Sequence, residues 1–265
     1  MSSRLEKMTI VLFLDVSFDE KVMVGRQKFE HPTRQRGISN DVILQKIADT
    51  WPGLEIDSRL KKTDGSNVSV SELCKRLKSG AKWGGPLQFG GLKLHVAELP
   101  AMMQTVITIE EVKPGSAGLW DEWVRPFLNE DSFVQAWIAD IDYDYWQNAS
   151  DPLEYEAVGK DFANLPMKSN GLPFPLEAEV IDTSRNPARV EIKQGYIEAI
   201  GSKMWIGHQF WSHVGKTPNS IDLTTGKITV RPIAPNVIEI HSDEECFNGG
   251  ETSQVQQKLR EILYE

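Results

Sequence analysis

Two cysteines, Cys74 and Cys246, are all that the 265 residues contain, too few and too far apart for a disulfide framework or a zinc signature. Cys74 falls on the apolar face of a predicted helix and reads as a small core residue. No apolar run approaches the roughly 18 residues that a spanning helix needs. The stretch MTIVLFL, residues 8–14, is followed at once by Asp15 and by no small-residue cleavage signature, so it reads as the buried first strand of a cytoplasmic protein rather than a leader. Familiar catalytic patterns are missing too. There is no Gly-x-Ser-x-Gly elbow, no phosphate-binding loop, and no kinase or deaminase set. The glycine-rich WGGPLQFGG, residues 83–91, has neither the phosphate-loop nor the dinucleotide spacing and reads as a loop feeding a strand. The two histidines of GHQFWSH, His208 and His213, lie five apart, which suits neither a helix face nor a strand face for metal binding.

Positive charge is missing from one particular place. Residues 126–159 hold eight acids and no Lys, Arg or His, whereas the whole chain carries a net charge of −9. One short segment thus accounts for nearly all of the imbalance. Such a concentration repels nucleic acid and anionic membranes and attracts a basic partner or a cation. The remaining composition, 40% hydrophobic and 25% charged, is that of a globular chain able to bury a core without disulfides or metals.

Periodicity places a helix from Ser39 or Asn40 to just before Pro52-Gly53, striped by Val42, Ile43, Ile47 and Ala48. A second helix begins at the Ser69/Glu72 capping box and stops at Gly80. Strands are predicted at 92–97 and 103–112 as a hairpin, then a short Pro126-interrupted helix near 119–128. Further strands are expected at 133–145, 176–181 with 188–193 as a hairpin, 203–211, 227–232 and 237–241. Residues 148–175, rich in Asn, Pro and Gly, read as a long surface excursion, and the stretch 21–36 has no assignment. A last helix spans 254–263, capped by Ser253 and Gln256. Segregated helices and strands predict an α+β fold with mostly antiparallel sheets and flanking helices. The turn near Pro114 is the candidate boundary between two lobes, 1–115 and 116–265, with packing as one domain the alternative.

The acidic segment centres on FVQAWIADIDYDYWQN, residues 133–148. Read as a strand, it puts Asp140, Asp142, Asp144 and Trp146 on one face and Tyr143 and Tyr145 on the other. Three readings compete. D-x-D-x-D begins like a calcium loop with Asp151 in the last position, but Tyr145 stands where that loop needs glycine. A catalytic carboxylate pair needs two distinct environments and a cleft that the sequence does not supply. An interaction surface is preferred, because like charges on one strand face repel unless a basic partner relieves them, and Tyr145 and Trp146 are interface-anchoring types. In KMWIGHQFWSH, Trp205, Gly207, Gln209 and Trp211 share a predicted strand face that is either an exposed binding platform or, the preferred reading, packed under the excursion.

The stretches FVQAWIADIDYDYWQN and GYIEAIGSKMWIGHQFW, with the chain length, resemble the immunity protein 52 family, whose members stand beside toxins of type VI secretion systems. That resemblance, spread over most of the chain, implies a non-enzymatic, cytoplasmic toxin inhibitor. The expected inhibitor needs no cofactor or metal and binds a cognate basic toxin, such as a nuclease effector. No residue is carried over from the family; the acidic and aromatic segment itself gives Asp140, Asp142, Asp144, Tyr145, Trp146 and Asp151 as the expected partner-binding residues, with no nucleic acid or membrane as partner. A metal-dependent hydrolase using the Asp140/Asp142/Asp144 cluster and a secretion-system adaptor are the alternatives.

Overall fold

Side chains of β1 (Glu6–Phe13) alternate between two apolar environments: Met8, Ile10 and Leu12 enter one core and Val11 the other. A strand covered on both faces is expected to read as a continuous apolar run, which is what MTIVLFL is. The computed structural model describes residues 4–24, 27–51, 59–218, 228–242 and 246–265. In chain order, β1 is followed by a hairpin, β2 (Asp15–Val24) and β3 (Gln27–Arg36), in the stretch that the sequence left unassigned. Then come α1 (Asn40–Thr50), β4 (Arg59–Lys62), β5 (Asn67–Ser69), α2 (Val70–Lys78), β6 (Leu87–Phe89), β7 (Leu92–Leu99), β8 (Gln104–Glu111) and α3 (Trp120–Val124). Beyond them lie β9 (Phe133–Asp140), α4 (Ile141–Asn148), α5 (Pro152–Ala157), β10 (Met167–Ser169), β11 (Glu179–Ile181), β12 (Glu191–Lys193) and β13 (Tyr196–Glu198). The chain closes with β14 (Lys203–Ile206), α6 (His208–Val214), β15 (Ile228–Ala234), β16 (Val237–Ser242) and α7 (Ser253–Tyr264). Pro52, Gly53 and Lys227, read as a helix stop and a strand start, lie outside the described residues.

The fold is α+β. Ten strands form one antiparallel sheet in the order β15-β16-β14-β9-β1-β8-β7-β6-β4-β5, with three two-stranded sheets beside it. β1 pairs with β8 on one side and β9 on the other, so strands from 1–115 and from 116–265 share this sheet. One face is covered by α1, α2 and α3, whose Ile43, Leu44, Ile47, Leu73, Leu77, Trp123 and Val124 meet Met8, Ile10, Ile107 and Ile109. The other face is covered by α6, α7 and the β12–β13 hairpin through Phe210, Trp211, Leu259, Leu263, Ile197 and Ile200. Buried Gln135 of β9 fixes that hairpin by donating to the Ile197 carbonyl at 2.7 Å.

Ser69 caps α2 as its sequence requires, accepting from the Glu72 amide at 3.1 Å. Three expectations are corrected. The strand read over 203–211 stops at Ile206, and α6 takes the rest; Trp205 and Trp211 are buried in opposite cores rather than sharing a face. The segments 176–181 and 188–193 do not pair. β11 pairs back onto β10, and β12 pairs forward onto β13, because Gly195, at φ +83°, supplies the two-residue turn that brings Tyr196 opposite Lys193. The cap of α7 lies one residue earlier than read: Gln256 donates to the Thr252 hydroxyl at 2.7 Å, while Ser253 donates to the Gly250 carbonyl.

Candidate functional site

The acidic segment is a strand only as far as Asp140. There the backbone is still extended (φ −68°, ψ 129°), and the Asp140 carboxylate accepts from the Tyr143 amide at 2.8 Å, which caps α4. The strand predicted to Tyr145 is thereby corrected, and the shared face of Asp140, Asp142, Asp144 and Trp146 goes with it. Acids in a helix's first turn sit favourably beside its exposed amides and positive dipole end, and this is where Asp142 and Asp144 fall. Spacing of i, i+2 imitates strand alternation; the competing signal, an Asp cap followed by an acidic first turn, is the one the chain obeys.

The six expected contact residues consequently divide by role. Asp144 points inward and pairs with Lys7 of β1 at 2.6 Å. Asp140 and Asp151 act as caps, the latter accepting from the Leu153 amide at 2.9 Å at the start of α5. Asp142 is exposed and accepts from the Trp146 indole N–H at 3.1 Å, one helical turn on. Tyr145 is exposed, and its hydroxyl is held above its ordinary pKa by a hydrogen bond to Glu154 and by the charge of that carboxylate and of Asp151. Trp146 packs edge-on against Tyr145 (4.9 Å between ring centres) and against Tyr155 (4.6 Å), with Lys160 Nζ 4.3 Å above it. Asp142, Tyr145 and Trp146 of α4 and Glu154 of α5 are thus joined into one acidic and aromatic surface, with Glu156 exposed on α5.

Behind this surface the helix is firmly seated. Tyr143 donates to Gln256 of α7 at 3.1 Å, and Asn148 accepts from the Val190 amide at 2.7 Å. A cleft of about 620 Å³ opens beside it, with Arg4, Asp140, Asp142, Tyr145, Trp146 and Lys160 among its walls. Two buried or half-buried carboxylates missed by sequence reasoning lie in line with Asp140. Glu111, Glu6 and Asp140 form a row across β8, β1 and β9. Burial pushes the Glu6 carboxyl up, the Trp120 indole bond pulls it back, and the charges of Glu111 and Asp140 push it up again. Burial likewise pushes the neighbouring Cys246 thiol up, away from a reactive thiolate. Glu111 is itself held by the Ala117 amide at 3.0 Å and the Glu6 amide at 3.2 Å. Among the described residues, no group of three or more His, Cys, Asp or Glu side chains is placed to hold a metal ion.

These contacts separate the cap from the charge at Asp140. Asp140→Ala is expected to lower stability by about 1 kcal/mol through the lost cap. Asp140→Asn keeps the acceptor and removes a charge beside Glu6, so its urea midpoint should equal or exceed that of the unaltered protein. An Asn variant as unstable as the Ala variant would show that the charge, not the cap, holds α4.

The excursion after α5 is an ordered arm. Its root is a small apolar cluster, Ala149, Tyr155 and Ile181, with Trp146 and Phe162 against it. Lys168 and Asp182 clasp its two strands at 2.9 Å, which pulls the Asp182 carboxyl down to about 2. At the tip, Asn170 accepts from the Leu172 and Ala178 amides at 3.0 and 3.2 Å and donates to the Leu176 carbonyl at 2.9 Å. The loop so fixed holds Phe174 88% exposed and Leu176 65% exposed. Residues 151–182 carry seven acids against Lys160 and Lys168, so the apolar tip rises from an acidic base.

No family model, curated protein or solved structure matches this chain. What the surface does is therefore read from its own geometry. Among the described residues, no helix is long and apolar enough to cross a membrane.

Proposed function

We propose that the protein is a non-enzymatic inhibitor that binds and neutralises a basic toxin, in the manner of the immunity proteins of type VI secretion systems, with the α4–α5 surface and the arm as its contact region. The observation that carries this reading is the tip of the arm: Phe174 and Leu176 are held out in solvent by a side-chain-knitted loop. Ordered apolar side chains in water gain nothing for the fold, whereas a loop already fixed in shape loses little entropy on binding. At the root of the arm, Asp142 and Glu154 bond to Trp146 and Tyr145, with no basic residue on either helix and Lys160 over the Trp146 ring. A nuclease must present a basic groove to hold phosphates, and an acidic, aromatic surface is complementary to one. Asp140, Asp144 and Asp151 support the shape of this surface rather than its charge.

The test pairs the protein with the product of the gene beside its own. A toxic, basic neighbour is expected to form a stoichiometric complex and to be silenced by it. Reversing Asp142, Glu154 and Glu156 to lysine should slow association by at least about tenfold, an effect that shrinks in high salt. Phe174→Ala should weaken the complex about 30-fold through faster dissociation. A neighbour that binds but is harmless would point to the adaptor reading instead. If it neither binds nor kills, the inhibitor reading fails; if both variants bind normally, the function stands and this surface does not.

A further inference from the structure

The opposite end of the sheet carries a pocket of another character. Its walls come from β4, from α2 and from the glycine-rich loop 80–86, and it encloses about 240 Å³. Three cations from three separate elements line it: Lys62, Arg76 and Lys82. None of the three forms a salt bridge among the described residues, in a protein whose net charge is −9. The floor is apolar, with Leu73, Leu87 and the Trp83 ring. The Trp83 indole N–H is buried and has no hydrogen-bond partner. A donor in that state costs about 1–3 kcal/mol unless something accepts from it.

One acid also lines the pocket. Asp64 is committed to the Ser66 amide at 2.8 Å and the Ser66 hydroxyl at 2.6 Å, which hold its carboxyl below the usual range. The carbonyls at the end of α2 are likewise occupied: Lys75, Arg76 and Leu77 accept from Ser79, Ala81 and Gly80. The lining is thus two positive charges in excess, with its anionic groups already bonded.

We propose that this pocket binds a phosphate monoester with a small organic body. The phosphoryl dianion matches the excess charge and draws on Lys62, Arg76 and Lys82. The body rests on Leu73, Leu87 and the indole ring. Inorganic phosphate is the minimal form of the same ligand. The binding is independent of the inhibitor surface, from which it differs in sign of charge and in the elements that build it.

Titration calorimetry on the full chain tests this with ribose 5-phosphate, inorganic phosphate and ribose, at about 0.15 M salt, where exposed charges are screened beyond ~8 Å. Saturable one-to-one binding of ribose 5-phosphate with Kd below about 1 mM is expected, with no heat from ribose. Inorganic phosphate binding as tightly as the ester would identify phosphate itself as the ligand of this site; weaker binding would identify the ester. The Arg76→Ala/Lys82→Ala double variant, which trims only exposed side chains, should lose affinity at least about tenfold with an unchanged melting temperature. Trp83→Phe, which keeps an aromatic floor, should leave the unliganded protein as stable or more so, since it removes an unsatisfied donor. No saturable binding of either phosphate at about 10 mM, or full affinity in the double variant, overturns the proposal.

Discussion

Gly207→Ala is expected to lower the stability of the protein by about 3 kcal/mol or more, and its melting temperature by roughly 10 °C. The backbone there is ordinary, φ −89° and ψ 170°, so conformational strain is not the cause. Space is. A Cβ on Gly207 would stand 2.4 Å from the Phe133 carbonyl oxygen and 2.9 Å from its ring. That oxygen cannot retreat, because β9 is tied on both sides: Gly207 N–H donates to Val134 at 2.8 Å, and Phe133 N–H donates to Glu130 at 2.9 Å. Relief comes only by breaking the Gly207–Val134 bond and prising α6 from β9. The Gly250→Ala variant is the control, since a Cβ there meets nothing within 4 Å, and it should melt within about 0.5 kcal/mol of the parent. A Gly207→Ala protein with an unchanged melting temperature would show that the β14–α6 junction is looser than these distances allow.

Arg260→Ala should cost a comparable amount, about 3–5 kcal/mol by urea unfolding. Arg260 is fully buried on the inner face of α7. Its guanidinium donates to the Pro187 carbonyl at 3.1 Å and to the Arg189 carbonyl, and lies 3.9 Å from the Glu198 carboxylate. Truncation leaves two carbonyls without a donor and a cavity the size of a long side chain, and removes one of the two cations beside Glu198, the other being Lys193 at 3.7 Å. Lysine keeps the charge but lacks the planar fork that serves both carbonyls, so Arg260→Lys should recover only part of the loss. The damage should reach the candidate site, because residues 186–190 hold the back of α4: Asn186 donates to the Gln147 carbonyl at 2.8 Å. If Arg260→Ala unfolds within about 1 kcal/mol of the parent, the buried network contributes little and the surrounding apolar contacts suffice.

Elements whose signals are local were legible in the sequence. The Ser69/Glu72 cap, the Leu92–Glu111 hairpin and the apolar stripe of α7 each follow from residues a few positions apart. The candidate surface was legible as a composition, an acidic and aromatic segment, but not as a shape. Alternating aspartates satisfied two periodicities at once, and only the capping bond at Asp140 decides between them. The partner of Asp144, Lys7, lies at the far end of the chain, and nothing local to either residue announces the pair. The same applies to Glu111 beside Glu6, which neighbour each other only because β1 and β8 do. The arm was visible as an excursion; the closure of its tip by the Asn170 side chain was not.

The position of β1 has a kinetic consequence. Its neighbours in the sheet, β8 and β9, arrive only after the chain has closed loops of roughly a hundred residues and more. Such a high contact order makes for slow folding, and no local hairpin can shelter β1 in the meantime. Until β8 and β9 dock, MTIVLFL stands open as a segment rich in β-branched and apolar residues with no charge of its own, the type that pairs with other copies of itself. The native protein buries this strand on both faces; the cell must keep it single while it waits.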